Sequence, residues 1–289
     1  FSGRTIRILS GKMSGEGVEK VRSAETPTRI WVGTSGFHFD DWQEVFYPSG
    51  LPRSRWLDYY AKSFRVLELN SSYYRIPSAA SMQRLAEKMP ETHGIVVKAN
   101  RLTTHEYKDE EASGPFRSAL EPLREKWLLR GVLAQFPWSF KNTPGNLQYL
   151  AEVTSRTNDV QWFVEFRHRS WLVPDVGAFL REHAIGFVSV DEPQLREMMP
   201  PVVKFTVPTA YIRFHGRNAA SWWAGGGADR YDYRYNDEEL KEWVGKVARL
   251  SGQVREILIF FNNCKGGSAA INAKTMRELL KALPGVEVQ

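Results

Sequence analysis

The chain has 289 residues, 42% hydrophobic and 25% charged, enough for one large α/β barrel or two ordinary domains of a water-soluble protein. No apolar run approaches the ~20 residues that span a bilayer, so a membrane partner is not expected, and Cys264 as the single cysteine excludes an intrachain disulfide and fits a reducing, cytoplasmic setting. The net charge of +6 suits anionic ligands, but Lys and Arg are scattered, which favours small anions over a nucleic-acid backbone.

Residues 1–28 are polar and rich in Gly and Ser. Their one apolar stretch, 6–9, is interrupted by Arg7 and is too short for a signal-peptide core, so the segment reads as a flexible tail ahead of a barrel domain at 29–289. Eight β-rich runs then recur, at 29–37, 65–71, 94–100, 130–136, 161–167, 186–191, 210–216 and 256–262. Helical apolar spacing occupies 81–89, 147–157, 175–183, 237–250 and 273–283 between or after them. Strands alternating with helices imply a parallel sheet, and eight such units imply closure into a single-domain (β/α)8 barrel of TIM type. An open doubly wound sheet is the alternative, but the turn after the first strand, Gly33-Thr34-Ser35-Gly36, carries no G-x-G-x-x-G fingerprint.

Side chains alternate along a strand, so each run divides into two faces. In the seventh, Ile212 and Phe214 suit the space under helices, which sends Tyr211, Arg213 and His215 into the barrel. In the fifth, Trp162, Val164 and Phe166 face out and leave Phe163, Glu165 and Arg167 inside. The same argument places Glu68, Asn70, Lys98, Asn100, Gln135, Ser189 and Asp191 inward. Barrel interiors are mostly branched aliphatics, so three acids (Glu68, Glu165, Asp191) and three bases (Lys98, Arg167, Arg213) on one face set are unusual. Buried unpaired charges cost on the order of several kcal/mol each, which predicts that they pair with one another or meet ligand. A structural ion-pair lattice is the alternative to a catalytic site.

The loops that follow the strands reinforce the polar mouth. Arg167, His168 and Arg169 follow the fifth strand, His215 and Arg217 the seventh, and Asn262 and Asn263 the eighth. Lys265, Gly266, Gly267 and Ser268 then lead into the final helix, a place where loop amides and a helix N-terminus take up anions in such barrels. The glycine pair serves turn geometry equally well. Residues 217–236 are long, glycine-rich and aromatic, with the pair Trp222-Trp223, as lids and binding loops are. Six dispersed histidines without an H-x-H or H-E-x-x-H pair give no zinc site. A Mg²⁺ or Mn²⁺ site from Glu68, Glu165 and Asp191 is the weaker use of those acids, because Lys98 and Arg167 would neutralise them; no cofactor is predicted. Cys264 sits beside Lys265 without a base nearby in the sequence.

Several of these segments resemble the YecE-like family, catalogued as the domain of unknown function DUF72. The resemblance rests on Val32-Gly33-Thr34-Ser35-Gly36-Phe37, Asp41-Trp42 and Phe46-Tyr47-Pro48. It continues through Glu68-Leu69-Asn70-Ser71-Ser72-Tyr73-Tyr74, Val97-Lys98-Ala99 and Gln135-Phe136-Pro137. Phe163-Val164-Glu165-Phe166-Arg167-His168, Ser170-Trp171, Tyr211-Ile212-Arg213-Phe214-His215-Gly216 and Phe261-Asn262-Asn263 complete it. It implies a barrel of TIM type and no reaction.

The residues point to an enzyme acting on a small anionic or phosphorylated metabolite at the C-terminal mouth. Arg167, Arg213 and Lys98 would hold negative charge, and Glu165, His215 or Lys98 would move a proton, with Glu165 the favoured base. Asn70, Asn100, Gln135 and Asn262 would orient the substrate, with Glu68, His168, Asp191, Arg217 and Asn263 as further contacts. A nucleic-acid-binding or -processing protein is a second reading, drawn from the net charge, Arg167, Arg169, Arg217 and Trp222-Trp223. A non-catalytic binding barrel, in which Glu165 only holds the fold, is a third.

Overall fold

Each of the eight β-rich runs forms a strand in the computed structural model, which describes residues 26–157, 159–223 and 229–289. They are β1 (Thr28–Ser35), β2 (Val66–Leu69), β3 (Gly94–Lys98), β4 (Leu129–Gln135), β5 (Trp162–Glu165), β6 (Gly186–Asp191), β7 (Thr209–Phe214) and β8 (Glu256–Phe261). All pair in parallel in chain order, and β1 pairs with both β8 and β2, so the sheet closes into the predicted barrel. Residues 1–25 of the predicted tail and residues 224–228 of the glycine-rich segment lie outside the described residues.

Closure is made by two strands. One edge of β1 pairs with β8 from Arg29 to Thr34. Its other edge meets β2 only at Thr34 and Ser35, because β2 is four residues long. A ninth strand, β9 (Val286–Val288), pairs with Thr28–Ile30 on that edge and occupies what β2 leaves open. Three residues are too few for the sequence pattern to announce. Gly33 stands where β1 and β2 converge: a Cβ there would lie 2.2 Å from the Val66 carbonyl oxygen, so a side chain would push the closing strands apart.

Nine helices are described around the barrel: α1 (Trp56–Ser63), α2 (Ser71–Tyr74), α3 (Ala79–Lys88), α4 (Arg101–Thr104), α5 (Asp109–Glu125), α6 (Pro144–Ser155), α7 (Pro174–Glu182), α8 (Asp237–Ala248) and α9 (Ser268–Lys281). The five helical segments read from the sequence correspond to α3, α6, α7, α8 and α9. The long α5 escapes that reading because Pro115 and Pro122 lie inside it, each removing an amide donor. Ala112, Phe116, Ala119 and Leu123 nevertheless recur on one buried face, and packing of that face outweighs the lost hydrogen bonds. Between β6 and β7 no helix is described; Pro193, Pro200, Pro201 and Pro208 keep residues 192–208 in a loop that bridges back to His168 through Met198. No helix among the described residues is long and apolar enough to cross a membrane.

Candidate functional site

The predicted inner faces of β2, β5 and β7 meet in the barrel as one chain of ions. Arg213 grips Glu68 with two nitrogens, NH2 to Oε1 at 2.6 Å and Nε to Oε2 at 2.9 Å, and reaches Glu165 Oε2 with NH1 at 2.5 Å. The Tyr211 hydroxyl donates to the same Glu68 carboxylate. Arg167 Nε lies 2.7 Å from Glu165 Oε1, and its NH1 donates to Glu192, the residue after β6. His215 Nε2 stands 3.2 Å from Glu165 Oε1, near enough for attraction but not aligned for a hydrogen bond, while its Nδ1 is 3.0 Å from Asn262 Nδ2. Glu68, Glu165 and His215 are completely buried, and Arg213 is 1% exposed.

Glu192 is a member that the sequence reading does not include, because β6 faces the opposite way from the expectation. A Cβ on Gly186 would meet the inward ring of Phe163, whereas Phe187 contacts Phe166 in the outer layer. Phe187, Ser189 and Asp191 therefore point outward, and Gly186, Val188, Val190 and Glu192 inward. The expectation fails because both faces of β6 end in an acid, so alternation alone has no polar marker to choose between them. Asp191 instead accepts from Tyr235 at 2.8 Å, from Trp243 Nε1 of α8 at 2.7 Å, and from Arg217 Nε and NH2 at 2.9 and 2.7 Å. The carboxylate set Glu68, Glu165 and Asp191 is not brought together, and Arg213 lies between the first two.

Two guanidiniums serve three carboxyls, and the protonation pattern follows. Burial alone would push Glu165 up, but Arg167, Arg213 and His215 hold it well below the usual carboxylate range. Burial and the neighbouring Glu165 push Glu192 up to about 8 against the pull of Arg167. Burial, with Arg167 beside it, lowers His215 to about 3, which keeps the imidazole neutral. Burial and then Arg213 lower Lys98 to about 7. Near neutral pH, Glu192 therefore carries its proton, His215 carries none, and Lys98 is in the middle of its titration.

A pH signature follows from Glu192. A carboxyl held above its ordinary 4.5 stabilises the fold fully below that pH and loses the contribution as pH rises through about 8. Glu192→Gln should therefore flatten the pH dependence of the unfolding free energy between 4.5 and 8, read from urea melts. An identical slope in the variant and the parent would mean that Glu192 ionises like an exposed carboxyl.

Above the ion chain, at the C-terminal ends of the strands, lies a cavity of about 440 Å³, a volume suited to a small metabolite. Lys98, Arg167, Gln135, Asn70 and Asn262 line it from the barrel. His105, Trp138, Trp222, Trp223, Arg230 and Tyr231 reach it from the loops, and Tyr73 and Tyr74 from α2. Lys98 Nζ donates to Gln135 Oε1 at 2.8 Å and lies 4.5 Å over the Tyr73 ring. Two cations lie over the Trp222 ring, Arg167 at 5.6 Å and Arg230 at 5.4 Å from its centre. Asn70 Oδ1 and Trp138 Nε1 are buried without a hydrogen-bond partner among the described residues, one acceptor and one donor at the cavity wall. Burial, with the charges of Lys98 and Arg167, lowers His105 to about 4.

Of the residues predicted to form the site, Lys98, Asn70, Gln135, Arg167 and Asn262 line this cavity, and Glu68, Glu165, Arg213 and His215 form the buried layer. The others are placed elsewhere by their partners. Asn100 caps α4 and donates to the Ser72 and Tyr73 carbonyls. His168 bonds Ser170 and Glu197; Asn263 bonds the Tyr233 carbonyl and Asn272. Arg217 joins Asp191, Glu239 and Glu242 outside the barrel.

The glycine loop expected to bind an anion has taken one from its own chain: the Gly266 amide donates to Asp41 at 2.7 Å. A Cβ on Gly267 would meet Val45 at 2.5 Å, Ser268 receives Arg234, and Lys265 pairs with Asp229 and Asp232. Burial raises the Cys264 thiol, whose Sγ lies 3.3 Å from the Ser35 carbonyl. His105, Trp138, Arg230 and Tyr231 were not singled out by the sequence reading because loop residues carry no periodic signal that aims them at the mouth. Trp222 and Trp223 stood out as an adjacent aromatic pair in a glycine-rich loop. Among the described residues no group of three or more His, Cys, Asp or Glu is arranged to hold a metal ion.

Comparison with known proteins agrees with this barrel. The family described as protein of unknown function DUF72 matches residues 31–287. The chain is 32% identical over 269 residues to the UPF0759 protein YunF of Bacillus subtilis, spanning 87% of this chain and 94% of that protein. It is also similar to the crystal structure of a DUF72 family protein of Thermotoga maritima, with 42% identity and a TM-score of 0.81 over 88% of this chain and 99% of that one. A DUF72 family protein of Enterococcus faecalis matches at 29% identity and a TM-score of 0.77, over 87% and 95% of the two chains. With the match running from the first barrel strand to the final short one, the chain belongs to the DUF72 family.

Proposed function

We propose that the protein is an enzyme acting on a small anionic metabolite bound in the mouth cavity. The observation that carries this reading is the sorting of charge. Among the described residues, the formally charged side chains lining the cavity are all cations, Lys98, Arg167 and Arg230, while Glu68, Glu165 and Glu192 lie beneath and are held by Arg213 and Arg167. A carboxylate or phosphate entering there meets donors and no opposing acid. The aromatic walls fit the carbon skeleton of such a ligand, and the unpartnered Asn70 Oδ1 and Trp138 Nε1, buried at the cavity wall, offer an acceptor and a donor to its hydroxyl or carbonyl groups once a side-chain adjustment exposes them. Proton transfer falls to Lys98, which touches the cavity and titrates near neutrality, in place of Glu165, whose oxygens face two guanidiniums.

The test is calorimetric titration and thermal shift with inorganic phosphate and sugar phosphates. Arg230 supplies charge from a loop, so Arg230→Ala should leave the fold intact. Loss of one charge-assisted contact of about 1.5–3 kcal/mol predicts roughly ten- to hundred-fold weaker binding. Equal affinity in the variant and the parent would remove the cavity from consideration. Steeply salt-dependent binding of short oligonucleotides, with no response to small phosphates, would shift the reading to nucleic acid.

A further inference from the structure

We propose that Lys98 captures the carbonyl carbon of an anionic aldehyde or ketone as an imine inside the mouth cavity. The inference rests on that cavity admitting a small anion, as read above, and adds the chemistry of the ligand. Lys98 ends β3, is half-buried, and presents Nζ to the cavity. Among the described residues no carboxylate pairs with it. The two acids that face it, Glu68 from β2 and Glu165 from β5, are already engaged by Arg213 and Arg167.

The other groups around Nζ disfavour its proton or leave it alone. Arg213 from β7 and Arg167, two residues past β5, are permanent cations. His105, after α4, is neutral, and Tyr73 of α2 offers only its ring face. A partly desolvated amine with no paired carboxylate among the described residues and with fixed cations beside it gives up its proton readily, and Lys98 titrates near 7. The contact with Gln135 Oε1 engages one N–H and leaves the nitrogen lone pair free once the amine is neutral. A structural lysine would be expected to sit on a carboxylate, and this one does not.

The step balances without an added oxidant or reductant. The nitrogen lone pair forms the C–N bond as the carbonyl π electrons move to oxygen. One N–H proton passes to that oxygen to give a carbinolamine. The second follows as the C–O bond breaks, releasing water and leaving C=N. The imidazole of His105 lines the same cavity and is available to relay these protons. Arg167 and Arg230 would hold the ligand's carboxylate or phosphate, which fixes the carbonyl relative to Nζ.

The experiment uses the full chain with pyruvate and, separately, glycolaldehyde phosphate, each with sodium cyanoborohydride, followed by proteolytic mapping in a mass spectrometer. Expected is a reduced adduct on Lys98, formed on the order of a hundredfold faster at pH 7 than on surface lysines. Its rate should be half-maximal near pH 7 and suppressed by excess inorganic phosphate. Lys98→Arg keeps the charge and should abolish the adduct. Mapping of the unaltered protein decides the matter even if that variant folds poorly: adducts spread over other lysines with none on Lys98 overturn the proposal. Stabilisation by phosphate without a Lys98 adduct sinks the imine alone, and absence of both sinks the anion cavity as well.

Discussion

Replacement of Arg213 by Met should destabilise the protein by about 3–5 kcal/mol, the scale for removing one partner of a buried ion pair. Arg213 is 1% exposed and holds two fully buried carboxylates, Glu68 of β2 and Glu165 of β5. Without it, Glu68 keeps only the Tyr211 hydroxyl among the described residues, and Glu165 keeps Arg167, which already serves Glu192. Burial would then oppose the charge of Glu165 with one guanidinium fewer to hold it, so the deficit should shrink as the pH falls toward 5. Urea melts at pH 8 and pH 5 measure both effects. A variant within about 0.5 kcal/mol of the parent at pH 8 would mean that the ion chain holds nothing together, since surface changes have effects of that size.

The second large effect is expected at Asp191. Asp191→Ala removes the acceptor for Tyr235, for Trp243 Nε1 and for two nitrogens of Arg217. Tyr235 and Trp243 are buried, and an orphaned buried donor costs about 1–3 kcal/mol, so the pair predicts a loss of roughly 2–6 kcal/mol. Arg217 adds little because it retains Glu239 and Glu242 and meets solvent. Because Asp191 faces the helix layer, phosphate affinity measured well below the melting temperature should match that of the parent. Reduced affinity with unchanged stability would place the carboxylate in the cavity instead, as simple strand alternation suggested.

The buried layer and the cavity divide the labour of the barrel mouth. Fixed Arg–Glu pairs hold the strand ends in place and leave cations to face the cavity. Under the proposed function, the two readings of the sequence, a structural lattice and a catalytic site, fall to different layers. Glu68, Glu165 and Arg213 belong to the lattice, while Lys98 and Arg167 reach the cavity. Arg167 belongs to both, so Arg230 is the cleaner probe of ligand binding and Lys98 the cleaner probe of chemistry.

Local pattern by itself determined the eight strands, their parallel closure and the inner faces of β2, β5 and β7. Each of those strands combines a fully apolar face with a charged one, and burial leaves only one arrangement. It did not determine β6, where Asp191 and Glu192 are adjacent acids on opposite faces and only contact with Phe163 and Phe166 selects between them. Nor did it determine α5, whose prolines argue against a helix that its packed face sustains. The loop of Gly266 and Gly267 had the composition of an anion site, yet Asp41, 225 residues away in the chain, supplies the anion. Tertiary structure alone decided which polar groups find partners within the protein and which, among the described residues, are left without one. That outcome depends on distances between segments remote in the chain, which alternation and composition do not encode.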